Sequence, residues 1–563
     1  MSVEHFNSLS PYNRIEYLRK WVCCLQRRLD GDGLQETISG VIDPAGLPSA
    51  YGTGALDDDY IIYLNKTTGV EWFWNADTTT WVEKPSAAGG TIQPTDGNTY
   101  NIRATDEGLP VGNARGENSV DVQTKRLNAN EAATGLASTI SGGERNRSQG
   151  AHSVVGGGYN NASTVNYSSI SGGIGNRAQG VSASISGGST NTVTATGQAG
   201  FIGGGVGNSV DGQDGVIGGG ASNQADGTRS TVGGGLSNEA SGIESTVGGG
   251  DSNIASGSNS TIGGGVNNNA TQTNSTVAGG SGNDATDSAA AIGGGSGNEA
   301  SGVSATVAGG ASNTASQNYA AIAGGQNNTA SGFNSSVGGG LNNLASFNYS
   351  TVSGGEDCNA TGTHATVAGG EDNDATSANA TVSGGRGNIA SGQYSTVTGG
   401  FLSTASADYS SAGGRYAVAD QYGQRAYASG FFTTAGDAQG FDLILRRATT
   451  DASDQILFMN GSSIAPVVPT DTSWTFVMTL TARRTDVTGD TAHYHIIGGI
   501  SNNGGTTAID GTPVISIIHE DNASLDVNVV ANDTTEELEI TVNGIAAQDY
   551  LWVANARFSQ VTG

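Results

Sequence analysis

One β-branched residue recurs every 15 positions along more than half of the chain. It stands at Ile140, Val155, Ile170 and Ile185, and after a two-residue insertion resumes at Ile202, Ile217, Val232, Val247, Ile262, Val277, Ile292, Val307, Ile322, Val337, Val352, Val367, Val382 and Val397. These 18 copies, with a degenerate one around Ala412, share the frame S-T-V-x-G-G-x-x-N-x-A-S-G-x-x, as from Ser245 to Asn259. A β-branched residue flanked by Ser and Thr predicts a short strand, and the Gly-Gly after it predicts a turn that other residues resist. The N-x-A-S-G half predicts a second short strand with alanine inward. Each 15-residue coil thus holds two strands and two turns, stacked on the next by parallel ladders. Asn238, Asn253, Asn268, Asn283, Asn298, Asn313, Asn328 and Asn343 are expected to stack as an amide ladder at a turn. At about 4.8 Å per coil, 18 coils make a rod of roughly 85 Å.

The pattern changes at both ends. Ser10-Pro11 is a helix start, and Ile15, Leu18, Val22, Leu25 and Leu29 follow the 3-4-3-4 spacing of a coiled coil. Two heptads do not stand alone, so residues 1–33 are expected to be a trimerising or docking helix. Arg14, Arg19, Lys20, Arg27 and Arg28 make it the only basic segment. That basic face fits an acidic particle surface, or else is a solvated face of a packed helix. Residues 34–100 form a small β module, in which 57–84 read as a meander. Its Trp72, Trp74 and Trp81 are core residues or sugar-stacking platforms, and its Asp57-Asp58-Asp59 run is a solvated loop or a cation site. Residues 101–138 connect to the shaft at 139–436. From 437 to 563 eight alternating segments (441–445, 455–459, 474–480, 493–497, 514–518, 525–529, 538–542 and 551–558) predict an antiparallel β-sandwich.

Composition narrows the class. Glycine supplies 91 of 563 residues, 35% of the chain is hydrophobic and only 13% is charged. Too little apolar surface is available for a large globular core, and the glycines follow no Gly-X-Y period. One Val and one Ala per coil contribute only about 2–3 kcal/mol, against a larger entropic cost of ordering fifteen residues. Such a narrow roll is therefore expected to be covered by partner chains, as a homotrimer. The net charge of −28, with no lysine after Lys125, argues against nucleic-acid binding and against attraction to anionic lipid. No apolar stretch is long enough to span a membrane. Cys23, Cys24 and Cys358 are odd in number, with two adjacent, and are expected to be reduced thiols.

The repeat frame resembles the left-handed parallel β-roll of trimeric autotransporter adhesin heads and the Gly/Ser/Asn-rich repeats of bacteriophage tail fibres. The stretch 112–123 resembles a lead-in to such repeats in phage proteins. Gly414-Arg415-Tyr416-Ala417, Tyr422-Gly423-Gln424 and Ala428-Ser429-Gly430 resemble the segment that closes them. The chain departs from the autotransporter pattern in having no basic-then-apolar signal peptide and no C-terminal membrane-barrel segment. The resemblance therefore implies a fibre of a phage or phage-like particle, assembled in the host cytoplasm. Its N-terminus would dock on a baseplate, tail or capsid protein, and its C-terminal module would meet a host-surface glycan or protein. It also implies a trimer, in which the H-x-H pair His493 and His495 of three chains could surround a metal on the shared axis; the alternative is two histidines on a sheet edge.

No cofactor site and no enzymatic chemistry are expected. Asp and Glu of the repeat fall at outward turn positions such as Glu239, Asp251, Asp284 and Glu299, not around a cleft. The glycine runs lack a strand–turn–helix setting for phosphate. Three other readings remain: a cell-surface or secreted adhesin, a tailspike glycan depolymerase, and an ice-binding solenoid. The last would need a flat double row of threonines, whereas Thr231, Thr246, Thr261 and Thr276 give way to Ala291, Ala321 and Ser336.

Overall fold

The computed structural model describes residues 116–563, apart from 129 and 488, and the backbone of three short strands further upstream. The chain divides into two units, Met1–Gln93 and Pro94–Gly563. In the first, strands Ile61–Leu64, Glu71–Asn75 and Thr80–Glu83 form an antiparallel sheet in sequence order, the meander expected from the aromatic alternation. The docking helix, with Ile15, Leu18, Val22, Leu25, Leu29, Arg19, Lys20, Arg27 and Arg28, and the Asp57–Asp59 run lie outside the described residues.

The second unit is all-β among its described residues and is dominated by a parallel β-solenoid. The Thr-Val dipeptide of each frame forms a two-residue strand paired in register with the same dipeptide 15 residues on, as Thr246–Val247 pairs with Thr261–Ile262. This ladder has 21 strands, from Val120–Asp121 to Arg425–Ala428. The N-x-A half forms a second parallel ladder, from Arg147–Ser148 to Val418–Ala419. In nearly every two-residue strand the first residue is the more exposed and the second is buried, and Val247 and Ala255 are both fully enclosed. The inward column is continuous, and one buried cluster runs from Ile170 through the solenoid into the C-terminal strands.

Three features escaped the sequence pattern. A third ladder, one residue wide, runs through the position after the glycines, from Lys125–Glu144 to Arg386–Phe401. Its residues vary (Leu236, Asp251, Val266, Ser281) because only their backbone is used. A coil precedes the first recognised copy: there Asp121 occupies the inward place held by Ile140 in the next coil. An acid does not register as a core position, and this one is buried against the Arg126 guanidinium and accepts the Ala133 N–H at 3.1 Å. At the other end the degenerate copy at Ala412 is followed by one more coil, with Ala426 inward at a 14-residue step.

The Gly-Gly turn shows two different needs for glycine. Gly249 lies at φ +155°, and a methyl there would meet only the Gly234 carbonyl, 3.8 Å away. Gly250 lies at φ +100°, and a Cβ would stand 2.1 Å from the carbonyl oxygen of Gly265 in the next coil. The second position is glycine in every coil from Gly143 to Gly414, because the coils approach each other there backbone to backbone.

The asparagine column satisfies the polar groups this turn exposes. Asn253 is fully buried. Its N–H donates to Asn238 Oδ1 at 3.1 Å, and its Nδ2 donates to Gly249 O at 3.0 Å and Gly265 O at 2.9 Å. The same set recurs from Asn146 to Asn388, so each amide ties its own turn to the coils before and after. Substitutes appear at the ends, where Gln123 accepts the Asn146 N–H at 2.7 Å and the Ser403 N–H donates to Asn388 Oδ1 at 3.0 Å. The one interior substitute is Cys358. Its N–H still reaches Asn343 Oδ1, but its thiol makes only 3.5 Å contacts with Glu356 O and Gly370 O.

Two predictions follow from this geometry. Replacing Cys358 by Asn should restore the column and stabilise the chain by about 1 kcal/mol, whereas Asn253→Ala strands several buried backbone groups and should cost about 3 kcal/mol or more. Denaturant titration of both variants checks the signs; destabilisation by Cys358→Asn would show that the column does not set stability. Separately, Gly250→Ala should cost at least about 3 kcal/mol, and Gly249→Ala less, about 1–2 kcal/mol from its backbone conformation alone. Equal losses at the two glycines would refute the close-approach argument.

Candidate functional site: the outer face of the C-terminal sheet

After the last coil the chain builds nine strands: β1 (Ala438–Thr449), β2 (Asp454–Ile456), β3 (Thr472–Arg484), β4 (Thr491–Asn502), β5 (Thr507–Ile509), β6 (Val514–Glu520), β7 (Asp526–Asn532), β8 (Glu537–Asn543) and β9 (Tyr550–Thr562). All eight segments read from the alternation fall on or beside strands; the three-residue β5 is the addition. One antiparallel sheet has the order β1-β9-β3-β4-β6, with β5 also on β4, and a second has the order β2-β8-β7. The apolar faces of both contribute to the same buried cluster.

The larger sheet continues the solenoid. Strand Arg425–Ala428 pairs parallel with Ser411–Gly414 on one side and antiparallel with β1 on the other. Two glutamine side chains close the remaining ladder end in the manner of a backbone. Gln439 accepts the Val418 N–H at 2.8 Å and donates to Val418 O at 2.9 Å; Gln421 makes the same reciprocal pair with Val467 at 3.1 Å each. An open parallel edge templates further pairing, and these amides occupy it. Asp437 fixes the loop between shaft and sheet. Its carboxylate accepts the N–H groups of Phe432 (2.8 Å), Thr433 (2.5 Å) and Thr434 (2.8 Å), and the Thr433 hydroxyl (3.0 Å).

The inner face of the larger sheet carries Phe441, Trp474, Phe476, Tyr494, Trp552 and Phe558, all enclosed. Their polar ends are matched: Trp474 Nε1 donates to Gln560 Oε1 at 2.9 Å, and the Tyr494 hydroxyl donates to Glu520 Oε1 at 2.5 Å. Burial, and then Glu520, push the Tyr494 phenol well above its ordinary pKa. This side of the sheet is thus rigid and filled.

Its outer face is uncovered. The register places side chains in rows across the strands. One row is Arg446, Val553, Thr481, His493 and His519; the next is Ile444, Asn555, Thr479, His495 and Ser516; the next is Asp442, Arg557, Val477, Ile497 and Val514. Ile444, Val477, Ile497, Val514, Leu551 and Val553 are between 44% and 60% exposed, a patch of apolar and neutral polar groups with cationic corners. Arg557 pairs with Asp442 at 3.2 Å. His493 and His495 share this face, as their spacing implies, but on successive rows. His493 Nδ1 contacts Thr481 Oγ1 at 3.2 Å, and its ring lies 6.1 Å from that of His519. His519, on another strand, was not a candidate from spacing. Among the described residues no group of three or more His, Cys, Asp or Glu is arranged to hold a metal ion. Cys358 is buried and free; burial first, with Asp374 adding, outweighs its hydrogen bonds and raises its pKa.

No family model and no curated protein matches the chain. Among solved structures, the tailspike protein gp49 of Acinetobacter baumannii bacteriophage Fri1, titled a capsular polysaccharide depolymerase, aligns with 78% of this chain and 69% of its own length, at 10% identity and a TM-score of 0.18. An overlap that slight is no guide to fold or activity.

Burial pushes the Asp437 carboxyl up, but the three N–H groups and the hydroxyl outweigh it and hold its pKa down to about 2. Its ordinary value is about 4. The clamp should therefore stabilise fully above pH ~4 and lose its contribution as pH falls toward ~2. Asp437→Asn is expected to melt lower than the parent at pH 7, with the gap shrinking below pH ~4 and closing only below pH ~2. A gap independent of pH would mean that the charge is not what holds the loop.

Proposed function

We propose that this chain is a structural fibre of a phage or phage-like particle. In this reading it is held by its N-terminal segment, extended by the solenoid and presented to a host surface by its C-terminal β-sandwich. The observation that carries the reading is the pairing of an unbroken 21-strand ladder with an uncovered, chemically mixed sheet face where the ladder ends. From Ile140 on, the coils stack side chain on like side chain apart from a two-residue insertion before Ile202 and a 14-residue last step, so they offer length and stiffness. A mixed apolar face with cationic edges suits a host glycan or protein, and an exposed apolar patch of this kind is characteristic of interaction surfaces. The assembled fibre is a homotrimer. The outward Thr column and the small residues two places on (Ala308, Ala323, Gly338, Ser353) make a shallow face against which a second and third roll can lie. The chain acts by attachment, without catalysis.

Sedimentation velocity of the full chain should give a mass near three times 56.3 kDa with a high frictional ratio; a monomer would sink the trimer. Labelled protein applied to a panel of bacterial cells should bind a subset of strains, and the double variant Val477→Glu/Val553→Glu should lose at least about tenfold in binding. Release of reducing sugar from the polysaccharide of a bound strain would overturn the non-enzymatic reading in favour of a depolymerase.

A further inference from the structure

The strand pairing between β4 and β6 contains one irregularity. Tyr494, His495, Ile496 and Ile497 pair regularly with Ile517, Ser516, Ile515 and Val514, but His493 pairs with His519 and Ala492 with Glu520. Ile518 is left over as a β-bulge. A regular pleat would set Ile518 opposite His493 and turn His519 to the inner face. The extra residue instead brings His519 onto the outer face beside His493 and sends Glu520 inward to the Tyr494 hydroxyl. Bulges re-aim side chains in this way next to binding sites.

Each of the two imidazoles has one nitrogen already engaged. His519 Nε2 is 3.1 Å from Asp521 Oδ1, and Asp521 is itself fixed through Oδ2 by the Thr491 N–H at 2.7 Å and the Thr491 hydroxyl at 3.0 Å. His493 Nδ1 contacts Thr481 Oγ1 at 3.2 Å. These contacts leave His519 Nδ1 and His493 Nε2 for an outside ligand, on rings whose centroids are 6.1 Å apart and tilted by 36°. A carboxylate behind one imidazole and a threonine hydroxyl behind the other is the kind of outer shell that metal-binding histidines have. Metal–nitrogen bonds of about 2 Å on each side bring two imidazoles to within about 5–6 Å of each other, a separation the pair already approaches.

We propose that His493 and His519 form a two-imidazole site for a late first-row divalent cation such as Ni²⁺, Cu²⁺ or Zn²⁺, positioned by the bulge at Ile518. Imidazole selects these ions over Mg²⁺ and Ca²⁺. Two protein ligands leave the other coordination positions open to the solvent above the sheet, where a donor atom of a bound partner can enter. Asp521 is a positioning residue. The pair lies across two strands within one chain and requires no second copy.

Calorimetric titration of NiCl₂ into the full-length chain tests the site. One binding event per chain should disappear in His493→Ala and in His519→Ala, persist in His495→Ala, and weaken by about tenfold in Asp521→Asn. As a second measurement on the unaltered chain, Ni²⁺ should protect His493 and His519 from diethyl pyrocarbonate while leaving His152 and His364 reactive, read by mass spectrometry. Loss of binding in His495→Ala with retention in His519→Ala would overturn the proposal in favour of the along-strand pair. Identical titration of the parent and the His493→Ala/His519→Ala double variant, or the absence of protection, would overturn it outright.

Discussion

The asparagine amide is the interaction on which the shaft depends. A 15-residue coil closes only by turning sharply at Gly249 and Gly250, and that turn directs partly buried carbonyl groups toward the asparagine column. An unmatched buried carbonyl costs as much as several methylenes gain. Asn253 resolves this with one side chain: two donors go to the carbonyls of its own turn and of the next, and its oxygen serves the N–H of the asparagine above. Aspartate has the shape but no donors, and serine has a single donor, which at Ser403 goes to the Gly414 carbonyl at 3.2 Å and leaves none for its own turn. Because each amide bonds to the coils on both sides, the fifteen-residue spacing is enforced by chemistry as well as by packing. The apolar core can then be as thin as one Val and one Ala per coil.

In-register stacking also governs charge. Any ionised side chain repeated 15 residues later stands directly over its copy, so like charges accumulate along a column. Asp226 shows the cost. One of its carboxylate oxygens is buried without a partner, and burial first, with Asp211 and Glu239 adding, pushes its pKa up to about 6. Elsewhere the chain interleaves neutral amides: Asn269 Nδ2 donates to Asp284 Oδ1 at 2.7 Å and Asn359 Nδ2 to Asp374 Oδ1 at 2.8 Å, each one coil apart. Arg386 answers Glu371 in the same way at 3.2 Å, although an exposed pair of this kind contributes little. Other acids do stand directly one coil apart, as Asp284 beside Glu299 and Glu356 beside Glu371, at positions that are not buried.

These same constraints explain what could be read from the sequence. Inward Val, Ile and Ala, the glycine at 250 and the asparagine column are each held to one residue type by contacts that repeat, so periodicity alone exposes them. The third ladder at Leu236 and Asp251 uses backbone only and leaves no mark on composition. The first coil was hidden because Asp121 with Arg126 replaces an aliphatic residue at its centre. In the C-terminal sheets, alternation located nearly every strand, since one face is filled and the other is open. Register was not legible. His493 and His495 were singled out because they are neighbours in the chain, while His519 became their companion through a single unpaired Ile518, and a bulge has no signature in a two-residue period.

The division of labour along the chain follows from the repeat itself. A coil that must match its neighbour at two ladders, a glycine contact and an amide column has few positions left to vary, and those are spread along the shaft at one coil's spacing. Such a surface can present a row of similar groups but not a constellation of different ones. The nine-stranded end is free of that restriction. Each of its long strands contributes a different residue to each row, so Arg446, Val553, Thr481, His493 and His519 can stand side by side. The glutamines at 421 and 439 and the clamp at Asp437 join the two regimes by ending the ladders without leaving an edge. A surface with varied neighbours is therefore found where the repeat stops, and the proposed attachment role rests on that face, with the solenoid as spacer.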